Sequence, residues 1–292
     1  MATVGLLAIH GMGETERGFS SELISDLKKE MGSNYNEVVV FNEVYYQHIL
    51  QDNENEVWRK LAKKLRWDGL RKFLLFGFAD AAGLEHRKEL ENSAYEQAQL
   101  VIAQQLYQTC TSLHAQDKTV ILAHSLGCQV ISCYLWDAAL SKTGPAAVHA
   151  GIWKNIQHYA QHISGKAELT EQEIAFLRGE RLALLATTGC NIPIFVAAHK
   201  KIAIKPFARP NQSFIWHNYY DKDDVLGWPL AELSDEYAAL VQDIKINAGG
   251  GVWGWISKSW NPMSHGEYWE DKEFLEPFSK QLAAIAQHQS IN

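Results

Sequence analysis

Three short stretches of this sequence carry side chains suited to nucleophilic acyl transfer. The first is Val120-Ile121-Leu122-Ala123-His124-Ser125-Leu126-Gly127, an apolar, strand-like run that ends in a serine. Cys128 to Leu135 continues it with a helical pattern. A serine on a tight strand-to-helix turn is held in a strained backbone conformation with its hydroxyl clear of the main chain. The positions two before and two after it crowd together and require very small side chains. Here they are Ala123 and Gly127; the commoner pattern has glycine at both, and alanine adds one methyl group. The Leu126 N–H would open the following helix and offer a developing oxyanion both a donor and the positive end of the helix dipole.

The second stretch is His10-Gly11-Met12-Gly13, directly after the apolar run Val4–Ile9. Glycines let a backbone approach a substrate oxygen closely, so this loop is expected to supply a second oxyanion donor, the Met12 N–H first and that of Gly11 next. His10 itself reads as a structural loop residue. The third stretch supplies an acid and a base. Ser213–Tyr220 reads as a strand and runs into Asp221-Lys222-Asp223-Asp224-Val225. An acid in that turn can orient a histidine and stabilise its imidazolium. Asp223 is favoured, then Asp224, then Asp221. Of the twelve histidines, His265 in Pro262-Met263-Ser264-His265-Gly266 has the order and loop setting for a general base. His217 falls within a strand, His288 within a terminal helix, and His124 adjoins the serine but points elsewhere.

These groups need a scaffold that brings them to one edge. Apolar runs at Val4–Ile9, Val38–Tyr45, Thr119–Ala123, Leu182–Thr187 and Phe214–Tyr219, with a weaker one at Val241–Asn247, read as buried parallel strands. Helical patterns between them predict a parallel sheet of about six strands covered on both faces. Two segments exceed that repeat, about 47–90 and 149–181, and are candidate lids or packing helices. The first contains a basic amphipathic stretch, Trp58 to Trp67, and the apolar Phe73–Phe78. The second contains a helix start at Leu169-Thr170-Glu171. One domain over residues 1–292 is expected.

The composition fits a soluble globular chain: 47% hydrophobic and 21% charged residues over 292 positions. The net charge of −7 argues against nucleic acid as a partner, because phosphate binding needs a basic surface. It offers no global attraction to anionic membranes, although the basic segment would allow transient contact with a membrane surface. Cys110, Cys128, Cys133 and Cys190 form no metal-ligand spacing, and a reduced, cytoplasmic setting is expected. The apolar N-terminal run is too short to span a bilayer and lacks a basic leader.

Together the motifs resemble the α/β-hydrolase superfamily, from the His10 loop to the His265 turn. On that likeness the chain begins at the family's third strand, without the usual first antiparallel strands. More narrowly, Asp223-Asp224-Val225 and Ser264-His265-Gly266-Glu267-Tyr268-Trp269-Glu270 are similar to the acid and histidine motifs of the DDHD-type intracellular phospholipases. Ala123 and Cys128 depart from that group's serine turn. The resemblance implies a three-layer α/β-hydrolase fold and an esterase or lipase-like activity on a small-molecule or lipid ester. Ser125, Asp223 and His265 would act through an acyl-enzyme, without metal or organic cofactor. A non-catalytic binding protein on the same fold is the alternative of a different class. An acyltransferase or amidase would use the same three residues.

Overall fold

The computed structural model describes residues 3–62, 68–198, 204–247 and 268–288. Six strands pair in parallel as one sheet: β1 (Val4–Ile9), β2 (Val39–Val44), β3 (Lys118–His124), β4 (Leu182–Thr188), β5 (Ile215–Asp221) and β6 (Val241–Ile246). Their order across the sheet is β2-β1-β3-β4-β5-β6. Every apolar run predicted as a strand is one, including the weakest. The inner strands β1 and β4 are buried along their whole length, as strands covered on both faces must be. The edge strand β2 is mostly half-buried, and β6 mixes buried, half-buried and exposed positions; both carry polar residues.

The helices are α1 (Ser21–Met31), α2 (Asn34–Val38), α3 (Gln51–Leu61), α4 (Asp68–Glu85), α5 (Ala94–Thr111) and α6 (Leu126–Ser141). They continue with α7 (Ala160–Ser164), α8 (Glu171–Leu177), α9 (Ile192–Ala197), α10 (Asp235–Ala238) and α11 (Lys272–His288). Side chains alternate along each strand, so two apolar layers form. Val4, Leu6, Ala8, Val120, Leu122, Leu184 and Ala186 pack with Leu23 and Leu27 of α1 and with Phe274, Phe278 and Leu282 of α11. Leu7, Ile9, Ile121, Ala123 and Leu185 face the opposite layer, with Ile102 and Leu106 of α5 and Ile131 and Tyr134 of α6. Each such fully buried aliphatic side chain contributes roughly 1.5–3 kcal/mol over exposure.

The segment 47–90 forms a single helical turn at Gln47–Ile49 followed by α3 and α4. Gly83 of α4 lets Leu50 approach; a Cβ there would lie 2.7 Å from the leucine methyl. Part of the predicted basic stretch, residues 63–67, lies outside the described residues. The segment 149–181 packs on α5, where Gln99 accepts the Ile152 N–H and Gln104 donates to the His162 carbonyl. Its helix α8 starts at the expected place, with Thr170 and Glu173 capping each other's backbone amides.

Candidate active site

In a parallel sheet every strand ends at the same edge. The register places Ile9 beside Ala123, His124 beside Thr188, and Thr188 beside Tyr219, so the loops after β1, β3, β4 and β5 are neighbours there. Ser125 turns β3 into α6 with φ 51° and ψ −122°, a left-handed conformation that costs a non-glycine residue about 1–3 kcal/mol. Its amide donates to the Thr188 carbonyl at 2.9 Å, which ties the turn to the end of β4. Gly127 is required for a different reason than the sequence suggested. A Cβ there would run into the His10 carbonyl and stand 3.0 Å from that of Ile9, so the glycine admits the end of β1. Gly11 is the counterpart on the other side: its Cβ would fall 2.7 Å from the Ser125 Cβ. The His-Gly loop and the serine turn are thus in contact. Leu126, the first residue of α6, has one of the N–H groups that an α-helix leaves without an internal acceptor.

His10 has the structural role expected of it. Its Nε2 accepts the Tyr46 N–H at 3.1 Å, so the ring proton sits on Nδ1 and is donated to the Gly11 carbonyl at 2.7 Å. The ring stacks on Tyr46 at 4.1 Å between centroids. Burial holds its pKa down at about 4, so the ring is neutral. A trans peptide sets its N–H opposite its C=O. Fixing the Gly11 carbonyl therefore fixes the direction of the Met12 N–H.

The aspartate turn resolves into three environments. Asp223, the favoured acid, has an exposed side chain, while those of Asp221 and Asp224 are buried. Asp221 closes β5, and its carboxylate accepts the Asp223 N–H at 2.9 Å. Asp224 accepts the Leu226 N–H on Oδ1 at 2.9 Å and the Tyr268 hydroxyl on Oδ2 at 2.9 Å. Gly227 is pressed against that carboxylate, and a Cβ there would lie 2.7 Å from the Tyr268 oxygen. The Tyr268 oxygen also accepts the Asp221 N–H at 2.9 Å, and burial pushes the ionisation of this phenol far upward. His265 lies outside the described residues.

Beside Ser125, His124 meets an aromatic cluster. The His124 ring bonds to the Thr188 hydroxyl at 3.1 Å, and that hydroxyl also accepts the Trp269 indole N–H at 3.0 Å. His124 lies 5.9 Å from both the Tyr268 and Trp269 rings, and Phe19 lies 6.1 Å from Trp269. Sequence reasoning passed over Tyr268 as an acid-binding residue, and over Glu54 and Asp80, two buried carboxyl groups beside the His-Gly loop. The signal for Asp80 was present: it is the one charged side chain in the apolar run Phe73–Leu84.

Strand order, helix layers and a serine on the β3–α6 turn make this a three-layer α/β-hydrolase fold. No family model matches the chain, and no curated protein matches it. The DDHD-type likeness therefore rests on its two short motifs. Among solved structures the chain is similar to two of acetyl xylan esterase. One aligns with 11% identity and a TM-score of 0.39 over 99% of both chains. The other has 11% identity and a TM-score of 0.38, over 99% of this chain and 98% of that one. Among the described residues no helix is long and apolar enough to cross a membrane, and no group of three or more His, Cys, Asp or Glu side chains could hold a metal ion.

Proposed function

We propose that the protein is a serine hydrolase that cleaves a carboxylic ester through an acyl-enzyme. The observation that carries this reading is Ser125 at φ 51° on the β3–α6 turn, with Gly11 packed against its Cβ. A strained serine between a helix N-terminus and a glycine loop is what acyl transfer requires, and a structural turn would relieve the strain with glycine. Ser125 attacks the ester carbonyl while His265 takes its proton. The oxyanion rests on the Leu126 N–H and the Met12 N–H, with the Gly11 N–H as the other loop donor, each such donor being worth roughly 10²–10³ in rate. His265 then protonates the leaving alcohol, and water releases the acyl group by the reverse sequence.

The acid in this reading is Asp224, in place of the exposed Asp223. Its carboxylate is buried and oriented by two donors, as an imidazole-orienting acid must be. Tyr268 supports the choice of base. It is hydrogen-bonded to Asp224 and stands against His124, and the three residues from Tyr268 back to His265 reach at most about 10 Å. The aromatic cluster favours an apolar acyl or aromatic substrate, small-molecule or lipid, with α3 and α4 as a cap. The protein is tested by fluorophosphonate labelling before and after Ser125→Ala. Labelling of the wild type alone supports the reading. A folded wild type that takes no label removes it and leaves a ligand-binding role for the fold. Acyl transfer to an amine or alcohol instead of water would appear as a new ester or amide in the products.

A further inference from the structure

Two carboxyl groups outside the proposed triad lie beside the oxyanion loop. Asp80, on α4, is fully buried. Its Oδ2 accepts the Gly13 N–H at 2.9 Å, and its Oδ1 accepts the Gln47 side-chain amide at 3.1 Å. Glu54, on α3, is buried too, beside Asp80 and 3.3 Å from the same Gln47 amide, so the two carboxyl groups share one donor. One face of α4 thus grips the loop twice. One turn before Asp80, Gly77 leaves the gap that the Met12 thioether fills.

We propose that Asp80 is a positioning residue for the oxyanion hole, which makes α3 and α4 a working part of the active site as well as a cover. This rests on the serine-hydrolase reading above. The Met12 amide lies between two pinned points. On one side His10 holds the Gly11 carbonyl; on the other Asp80 holds the Gly13 N–H. Gly13 stands at φ 96° with open space where a side chain would be, and apart from a long bond from the Thr15 hydroxyl to its carbonyl its hold is the Asp80 carboxylate. Without Asp80 the backbone after Met12 loses its buried acceptor, leaving His10 on the Gly11 carbonyl and the Met12 side chain against Gly77, and a shift of about 1 Å in a catalytic donor can cost about 10²-fold in rate.

The pair packs best while it shares a proton, because two ionised carboxylates side by side repel each other and the single Gln47 amide between them does not offset that repulsion. Burial and the neighbouring Asp80 raise the Glu54 pKa to about 8. Burial also raises that of Asp80, opposed by the Gly13 N–H, Glu54 and Gln47. Glu54 therefore carries the proton at neutral pH. Among the described residues the groups facing Glu54 are Asp80 and Gln47; those facing Asp80 are Glu54, Gln47, the Gly13 amide and, further off, the Tyr46 phenol, which stays neutral.

The test uses the full chain, the fluorophosphonate labelling rate, and kcat and KM on p-nitrophenyl butyrate, with circular dichroism to establish folding. Asp80→Ala is expected to lower kcat and the labelling rate by about 10²-fold with KM within about threefold. Asp80→Asn keeps an acceptor for the Gly13 N–H and is expected to restore at least about a tenth of wild-type kcat. Glu54→Gln mimics the protonated acid and is expected to remove a loss of kcat that the wild type shows above about pH 8. A folded Asp80→Ala with kcat within threefold of wild type overturns the proposal. So does an Asp80→Asn loss beyond about 30-fold, which decides the matter if the alanine variant does not fold, or an alkaline loss that persists in Glu54→Gln. An unlabelled, inactive wild type overturns the hydrolase reading and this inference with it; an active wild type indifferent to Asp80 overturns the inference alone.

Discussion

Asp223 and Asp224 are adjacent in sequence, yet one carboxylate is exposed and the other is buried under two donors. That difference decides how each responds to loss of charge. Asp224→Asn is expected to lower kcat by on the order of 10⁴, because an amide leaves the imidazole in the wrong tautomer and cannot stabilise its charged form. Asp223→Asn is expected to stay within a few-fold of wild type. Initial rates on one activated ester compare the two, and the reverse ranking would return the acid role to Asp223. Three aspartates within four positions carry the same chemistry in the sequence. Which side chain turns inward depends on Tyr268, 44 residues beyond Asp224 in the chain, and on the room left by Gly227, neither of which a local pattern reveals.

Among the elements, the strands were the legible part. Buried parallel strands are continuous apolar runs, and β1, β3 and β4 announce themselves as such. The serine turn was legible for the same reason, since strand, small residues and helix all stand within one local window. The contacts between α4 and the loop after β1 were not, because they join residues about 65 positions apart through side chains that a helical pattern leaves ambiguous. The join between α5 and the segment after α6 is equally hidden. Gly151, at φ 73°, leaves the space that the Gln99 side-chain oxygen occupies while accepting the Ile152 N–H, and a Cβ there would also lie 3.0 Å from the Tyr95 ring. Gly151→Ala is expected to destabilise the fold by about 2–4 kcal/mol, from the left-handed backbone and the displaced glutamine together. A urea titration measures it.

At the scale of the whole molecule, stability should depend on pH through two buried groups of opposite sign. Glu54 holds its proton up to about pH 8 when folded, against an ordinary value of 4.5, so it binds the proton more tightly in the folded state. Its contribution is fully present below about pH 4.5 and falls as pH rises to about 8. His10 is neutral in the fold down to about pH 4 against an ordinary 6.5, so its contribution is lost as pH falls through that window. Between about pH 4.5 and 6.5 the two slopes oppose each other. Glu54→Gln should flatten the decline between about pH 6.5 and 8 and uncover the His10 slope below it. Urea midpoints at several pH values read both effects, and parallel curves for variant and wild type would rule out the Glu54 contribution.

Helix α11 shares with α1 the cover of one apolar layer: Phe274, Phe278 and Leu282 lie with Val4, Leu6, Ala8, Val120 and Leu122. On the ribosome this has a cost in time. The core strands β1 and β3 are complete by His124, while α11 starts about 150 residues later. At typical elongation rates that is roughly 8–30 s during which this side of the central strands has α1 on it but lacks α11. The nascent chain must spend that interval with a sticky surface in a crowded cell. A chain cut before α11 is therefore expected to expose part of that layer even where every remaining element is intact.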